Sequence, residues 1–268
     1  MELRFSDTKN KINTFVSQKT LEKIKDFLPL KCDANLARIV GDITGDGHLQ
    51  LDNRRGIVSF YSKDIKKIKN EGDLFIKTFG LNGHVRRYAD ETGIRYGIMF
   101  TSKPIAIIFS ILEVPVGNKT AKKFDIPHWI FDGSKEIQKA YLVGLFTSEG
   151  SIYDSKHNGW RLEIEQYKVE KLSIYGKGYM NQLKKMVENF GIKCSNVRNC
   201  RKNKRMDGST TLAWEFYVWR QSFKDFYDKI GFDDTLKMSK LKEAIKCGGS
   251  GQGLMKSSNA QSGQRRKI

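Results

Sequence analysis

Long apolar runs, cysteine, proline and histidine are all scarce in this chain of 268 residues. Without a run of 18 apolar residues, no segment is predicted to span a bilayer, and the N-terminus lacks the apolar core of a signal peptide. The four cysteines show neither zinc-ligand spacing nor a dense disulfide pattern. These absences favour an intracellular, reducing location, either the cytoplasm of a prokaryote or an organelle matrix. The four histidines do not have the spacing of metal ligands or of a catalytic motif, so a histidine-based nuclease is disfavoured.

Acidic residues are also too few to balance the basic ones. The chain has 48 lysines and arginines against 30 aspartates and glutamates, a formal net charge of +18. Such an excess predicts a polyanionic partner, with nucleic acid the first candidate and an anionic membrane surface the second. Hydrophobic residues make up 39% of the chain, enough to bury a sizeable core.

Two similar stretches indicate an internal duplication. "ARIVGDITGDG" at 37–47 aligns with "AYLVGLFTSEG" at 140–150, at an offset of 103 residues. Small residues recur at every fourth position in both, which predicts one smooth stripe along each helix and close packing of the two helices. The predicted contact residues are Ala37, Gly41, Ala140 and Gly144.

The surroundings of the two stretches repeat as well, each half reading as helix, two strands, helix, two strands, helix. The predicted fold class is α+β, a pseudo-twofold duplicated αββαββα arrangement. The predicted parts are a basic helical extension over 1–32, a first half over 33–115, a linker over 116–133, a second half over 134–246 and a flexible polar tail over 247–268.

An acid closes each small-residue helix. Gly47 and Gly150 occupy positions where a helix end favours glycine, so Asp46 and Glu149 are expected at the carbonyl ends of their helices. Because the helix dipole is negative there, two such ends side by side would gather negative charge. Divalent cations would resolve it, and oxygen-only ligands suit Mg²⁺ or Ca²⁺ rather than zinc. A plain turn and an EF-hand loop beginning at Asp42 are the alternatives, but the duplication and the EF-hand pattern's mismatches disfavour them.

The motifs "VGDITGDG" and "LVGLFTSEG" resemble those of a monomeric LAGLIDADG homing endonuclease, and the resemblance covers about residues 33 to 246. The second motif is a close match, whereas in the first Asp42 and Thr44 replace the usual apolar residue and acid. The resemblance implies two antiparallel sheets that form a DNA-binding saddle. It also implies cleavage of both strands by a monomer, with one essential acid per half.

The resemblance assigns roles to further residues. Asp46 and Glu149 would be the catalytic metal ligands, and Gly45 and Ser148 would add backbone oxygens. The expected cofactor is Mg²⁺, with Mn²⁺ as a substitute and Ca²⁺ as an ion that supports binding without cleavage. Basic residues near the metals could stabilise developing charge; the candidates are Lys103, its counterpart Arg220 or Gln221, and Lys63 and Lys168.

Basic residues on predicted strands and turns would contact double-stranded DNA through phosphates and base edges. The first-half candidates are Arg54, Arg55, Arg86, Arg87 and Arg95. The second-half candidates are Arg198, Arg201, Lys202, Lys204 and Arg205.

Two rival functions stay open on the same scaffold. One is an intron maturase that binds RNA, and the other is a DNA-binding protein that does not cut. The two intact acids disfavour a purely binding role. An intein is also disfavoured, because the end "QRRKI" lacks the terminal His-Asn of protein splicing.

Overall fold

Two four-stranded antiparallel sheets of identical strand order form the body of the molecule. The computed structural model describes residues 1–8, 16–91, 93–156 and 159–249. In both sheets the four strands of the half lie in the order first, second, fourth, third. This repetition confirms the predicted duplicated α+β fold.

The first half begins with its motif helix, which Asp33 caps by accepting a hydrogen bond from Leu36 N. Its helices are α3 (Ala34–Thr44), α4 (Ile65–Phe79) and α5 (Lys103–Ile111). Its strands are β3 (His48–Leu51), β4 (Gly56–Ser62), β5 (His84–Asp90) and β6 (Gly93–Thr101). These elements agree closely with the alternation of apolar and polar residues in the sequence.

A linker with a 3₁₀ turn at Lys119–Ala121 and a short helix α6 (His128–Phe131) leads to the second half. The helices that follow are α7 (Lys135–Glu149), α8 (Ser173–Glu188), α9 (Phe223–Lys229) and α10 (Thr235–Gly249). The strands are β7 (Gly150–Asp154), β8 (Trp160–Val169), β9 (Arg198–Lys204) and β10 (Thr210–Val218). Before β9, Cys194 forms an isolated bridge with Val218.

Each sheet buries one face against helices and leaves the other face free of them. Val58, Phe60, Ile98 and Phe100 alternate along β4 and β6 and are buried. Phe75 of α4 stacks on Phe100 with ring centroids 3.8 Å apart. The intervening residues of these strands point to the opposite face, where side chains can meet another molecule.

The N-terminal extension was predicted to be helical, but it also contains a short sheet. Helices α1 (Phe5–Thr8) and α2 (Gln18–Lys25) are present. However, β1 (Glu2–Leu3) also pairs with β2 (Leu30–Lys31) as a two-stranded antiparallel sheet. The burial of Leu3, Ile24 and Leu30 joins this extension to the main core, which the sequence pattern did not indicate.

The predicted domain boundaries stay predictions, and residues 250–268 of the proposed tail lie outside the described residues. None of the described helices is long and apolar enough to cross a membrane.

Candidate functional site

The two motif helices α3 and α7 pack through glycine, as predicted. A Cβ added to Gly41 would overlap the backbone oxygen of Tyr141, and one added to Gly144 would lie 2.8 Å from the backbone oxygen of Arg38. A Cβ on Gly45 would lie 2.6 Å from the Cβ of Ser148. Because backbone meets backbone at these points, the carboxyl ends of both helices are held side by side.

Asp46 and Glu149 are brought together at these adjoining ends. Glu149 is the last residue of α7, and Asp46 follows α3 by two residues. Burial raises the pKa of Glu149, and the negative charge of Asp46 raises it further. The Asp46 side chain is 50% exposed whereas Glu149 is half-buried, so solvent reaches the pair from the Asp46 side.

A lysine caps the carboxyl end of each motif helix, and sequence reasoning missed both. Lys119 Nζ donates to the backbone oxygens of Ile43, Thr44, Gly45 and Gly47. Lys237 Nζ, from α10, donates to the oxygens of Thr147 at 2.7 Å, Ser148 at 3.4 Å and Gly150 at 2.7 Å.

The two ammonium groups offset the negative helix ends that we had assigned to metal ions alone. Burial lowers the pKa of Lys119 and of Lys237, while the charges of Asp46 and Glu149 act in the opposite direction. These lysines are separated by 118 residues whereas the motifs are separated by 103, so alignment of the motifs does not pair them.

A third lysine approaches the acids from α4. Lys67 Nζ lies 3.8 Å from Asp46 Oδ2 and donates to Ser148 Oγ at 3.4 Å. It therefore contacts one residue from each motif. Lys63, which the sequence suggested, lies one helical turn earlier in the chain and is exposed.

The glycines after the acids serve a different purpose from the one predicted. Gly47 is absent from the positive-φ residues of the described chain, and Gly150 has φ −71°. A Cβ on Gly47 would lie 2.7 Å from Ile43 Cα, and one on Gly150 would lie 2.6 Å from Phe146 O. Close backbone packing, not a left-handed helix cap, explains both.

Asp42 is not a calcium ligand of an EF-hand type. It is buried and accepts a hydrogen bond from Arg38 Nε at 2.7 Å. Arg38 also donates to Asp233 Oδ2 at 2.9 Å, which ties α3 to the segment before α10. The acid at this position therefore holds structural elements together instead of facing an ion in solvent.

Lys103 and Arg220 occupy equivalent places in the two halves, but far from the acids. Lys103 Nζ donates to Asn53 O in the β3–β4 turn, and Arg220 Nε donates to Trp160 O at the start of β8. β3 runs four residues away from the motif before that turn, about 13 Å of strand rise. The structure does not bring either residue to Asp46 or Glu149.

Lys168 is fully buried at 0% exposure. Its Nζ donates to the backbone oxygens of Lys119 at 2.5 Å and Lys122 at 2.8 Å, within the linker. Its ammonium is thus directed at the protein backbone and is not presented to a phosphate.

Strand register shows which of the predicted DNA-contacting residues of the first half lie on the helix-free face of the sheet. Arg86 lies opposite Gly97, and Tyr88 lies opposite Arg95, so these residues share the helix-free face. Arg87 lies opposite Tyr96 and points to the other face. Arg54 and Arg55 are exposed in the β3–β4 turn, where Asp52 Oδ1 accepts hydrogen bonds from both backbone N–H groups.

A bulge decides which second-half residues share the helix-free face. The register of β9 against β10 shifts between Ala213 and Trp214, so that Arg201 pairs with Ala213 and Arg198 pairs with Glu215. Without the extra residue Cys200, the two arginines would point to opposite faces. Lys202 and Lys204 occupy the alternate positions, and Arg205 lies in the turn.

Three glutamates on this same face were missed by sequence reasoning. Glu163, Glu165 and Glu215 share the face by register, and arginines pair with each of them. Arg198 Nη2 lies 2.6 Å from Glu215, which is almost fully buried. The alternation "RLEIEQY" along β8 contains this signal, because the polar residue at every second position falls on one face.

The residues around Asp46 and Glu149 fit a hard divalent cation. The two carboxylates are oxygen donors. The backbone oxygens of Gly45 and Ser148, predicted as further ligands, instead accept hydrogen bonds from Lys119 and Lys237. Burial raises the pKa of Glu149 and the charge of Asp46 raises it further; a shared cation would relieve the repulsion between the two carboxylates.

Comparison with known families gives a match in the second half. A family model described as LAGLIDADG-like domain matches residues 136–231, from the start of α7 to the end of α9. This segment contains the second motif and its complete four-stranded sheet.

Curated relatives are similar over most of this chain but carry much more sequence of their own. DNA-directed RNA polymerase subunit Rpo1N of Methanocaldococcus jannaschii is 28% identical over 87% of this chain and 19% of its own length. The tRNA-splicing ligase RtcB of Methanopyrus kandleri is 26% identical over 78% of this chain and 22% of its own length. The chain spans about a fifth of the length of these relatives.

A solved structure shows the same architecture over both halves. The homing endonuclease I-WcaI, bound to its DNA recognition sequence, superposes with a TM-score of 0.54 at 14% identity, covering 88% of this chain and 96% of that one. A structure of I-DmoI in complex with DNA and Mn gives a TM-score of 0.48 at 17% identity, with coverages of 75% and 98%. With paired motif helices and two sheets of one strand order, the chain has the two-motif LAGLIDADG fold.

Proposed function

We propose that this protein is a site-specific DNA endonuclease that makes a double-strand break by divalent-metal-dependent phosphodiester hydrolysis. The observation that carries the proposal is the meeting of Asp46 and Glu149 at the adjoining ends of α3 and α7. Two carboxylates, one from each half, match the need to cut two strands with one monomer. The break would occur at a long recognition site and serve the homing of an intron or other mobile element.

The residues around the acids supply what hydrolysis of a phosphodiester requires. Asp46 and Glu149 would hold Mg²⁺, and bound metal would activate water and offset charge on the phosphate. Lys119, Lys237 and Lys67 place positive charge beside both acids, where it can stabilise the extra negative charge of the transition state. The three lysines are therefore part of the proposed catalytic site.

The helix-free faces supply the DNA-binding surface. Arg86 and Arg95 in the first half and Arg198 and Arg201 in the second are positioned there by strand register. The net charge of +18 supports binding to the DNA backbone. The glutamates among the arginines add acceptors that can bind the amino group of cytosine, so the face offers a mixed pattern for sequence selection.

The distribution of relatives supports a mobile origin. The matching segment occupies 12% to 24% of proteins named as a polymerase subunit, a tRNA-splicing ligase, a replication factor subunit and an aminotransferase. These names share no activity, so a module inserted into unrelated proteins explains the similarity better than a common ancestral enzyme.

The test is cleavage of a randomised duplex library in Mg²⁺, followed by sequencing of the ends. With a target in hand, Asp46→Asn and Glu149→Gln are expected to abolish double-strand cutting, because each removes a carboxylate charge that the metal needs. Both variants are expected to bind the target in Ca²⁺ with nearly unchanged affinity, since neither residue lies on the strand faces.

Asp225→Asn is the matched control, because Asp225 is a surface residue of α9 that pairs with Lys229. It should cut like the parent protein. Full cutting by either motif variant would refute the metal-site assignment. Specific binding by a parent protein that cuts no duplex would favour the non-cutting alternative, and binding of structured RNA alone would favour a maturase.

A further inference from the structure

Lys168 is a buried cation that the proposed hydrolysis does not use directly. It lies on the helix-covered face of β8, and its Nζ is 3.6 Å from the ring centroid of Phe124. Burial, together with the charge of Lys119, lowers its pKa to about 7. A charged side chain is costly in such surroundings. A fully buried lysine therefore calls for a specific contact that an apolar residue could not make.

That contact is with the linker backbone at the 3₁₀ turn. Lys168 Nζ donates to the oxygens of Lys119, the first residue of the turn, and Lys122, the residue that follows it. The stem passes under α8 at Gly176, where an added Cβ would lie 2.7 Å from Lys168 Cγ. The Lys168 side chain thus extends from β8 through the core of the second half and binds the linker backbone.

Lys119 is consequently fixed at both ends. Its backbone oxygen accepts a hydrogen bond from Lys168, while its ammonium donates to the backbone oxygens at the end of α3. The first contact comes from the second half and the other contacts lie in the first half. A change at Lys168 would therefore be transmitted to the end of α3 through one residue.

The equivalent lysine of the other half does not need such support. Lys237 lies in the first turn of α10, and its backbone N–H donates to Asp234 Oδ1 at 2.7 Å. The regular helix α10 therefore fixes the direction of the Lys237 side chain. Lys119 lies in a turn of three residues, which provides less rigidity of its own.

We infer that Lys168 is a positioning residue that sets the Lys119 ammonium against the carboxyl end of α3. It does so by holding the linker backbone from the sheet of the second half. This inference rests on the proposed function, since it assigns Lys168 to the same site through Lys119.

The test is a double-mutant cycle with Lys168→Met, Lys119→Met and the double variant, in which cleavage of each DNA strand is timed separately in Mg²⁺. Lys168→Met is expected to slow cleavage tenfold or more and to reproduce the ratio of strand rates seen in Lys119→Met. The double variant should be no slower than Lys119→Met alone, because one residue acts through the other.

Leu162→Ala is the control for a general loss of stability. Leu162 is buried on the same face of β8, six residues before Lys168. It should leave the strand ratio of the parent unchanged. Multiplicative losses in the double variant, or equal slowing of both strands by Lys168→Met, would overturn the inference. If Lys168→Met does not fold, Lys168→Gln replaces it with the same expectation.

A second readout does not depend on cleavage. Hydrogen exchange of peptides that span 117–124 should accelerate at least tenfold in Lys168→Met while peptides from β4 and β6 stay protected. Unchanged exchange in the linker would refute the inference by itself. A parent protein that cuts no DNA would instead refute the proposed function, and the exchange experiment would still decide whether Lys168 holds the linker.

Discussion

At the residue scale, two buried carboxyl groups, one on motif helix α3 and one on α4, repel each other. Asp42 and Glu71 are 1% and 3% exposed. Asp42 Oδ1 and Glu71 Oε2 are buried without a hydrogen-bond partner among the described residues. Burial and the charge of Asp42 raise the pKa of Glu71 to about 8, with Arg38 and Lys67 acting in the opposite direction. The raised pKa favours a proton on Glu71 at neutral pH.

This pair predicts a pH dependence of stability. Between the ordinary pKa of 4.5 and about 8, folded Glu71 holds a proton that the unfolded chain has lost. The folded state therefore loses stability as pH rises through this range and loses no more above it. Glu71→Gln cannot titrate, so its melting temperature relative to the parent should rise steadily from about pH 5 to pH 8.

The control is Glu188→Gln, on the exposed surface of α8, which should show no such trend. Thermal melts at half-unit pH steps make the comparison. A difference between Glu71→Gln and the parent that stays constant across the range would contradict the raised pKa of Glu71.

At the element scale, the helix pair and the bulged strand do most to shape the site. Glycines let α3 and α7 meet backbone to backbone, which brings two acids from distant parts of the chain together. The bulge in β9 places Arg198 and Arg201 on one face. The helix contact depends on the interface glycines and the bulge depends on one extra residue, Cys200.

Substitution of the interface glycines should destabilise the protein. Gly41→Leu or Gly144→Leu would force the helices apart, at a cost on the order of 1–3 kcal/mol or more. For a chain of this size each kcal/mol lowers the melting temperature by roughly 2–4 °C. Gly178→Leu is the control, since an added Cβ there meets nothing within 4 Å. Equal melting temperatures for all three variants would mean that the helices do not pack through Gly41 and Gly144.

At the scale of the whole molecule, excess positive charge is distributed over faces with different roles. Arg201 is on the helix-free face and exposed, 3.7 Å from Glu165. Lys202 is on the other face and pairs with Glu170 at 2.7 Å. The sequence grouped Arg201, Lys202 and Lys204 as candidate DNA-contacting residues, whereas the register places the first on one face of the sheet and the other two on the opposite face.

The salt dependence of binding should separate these faces. Each phosphate contact contributes about −0.9 to the slope of log K against log salt concentration on duplex DNA. Arg201→Ala should flatten the slope by about 0.9 if it binds one phosphate, or should lose about 1–3 kcal/mol of discrimination at one base pair if it binds guanine. Lys202→Ala is the matched control and should change neither quantity. An inert Arg201 would remove this face from the DNA-binding surface.

The sequence by itself determined the duplication, the order of helices and strands, and the two acids. The reason is that these properties are local. Each signal, whether the spacing of small residues, the alternation along a strand or the acid at a helix end, lies within a short segment of sequence. Of the four predicted contact residues, Gly41 and Gly144 lie where the backbones of α3 and α7 meet, because a stripe of small residues lets two helices approach closely.

Only the tertiary structure decided which cations accompany the acids. Lys119, Lys237 and Lys67 reach Asp46, Glu149 or the adjoining helix ends from a linker, α10 and α4, and in a chain with 48 basic residues no local pattern distinguishes them. Lys103 and Lys168 have equally suggestive positions in the sequence, yet one lies at a distant turn and the other is buried. The direction of a long, flexible side chain depends on the packing of several elements, which a short segment does not encode.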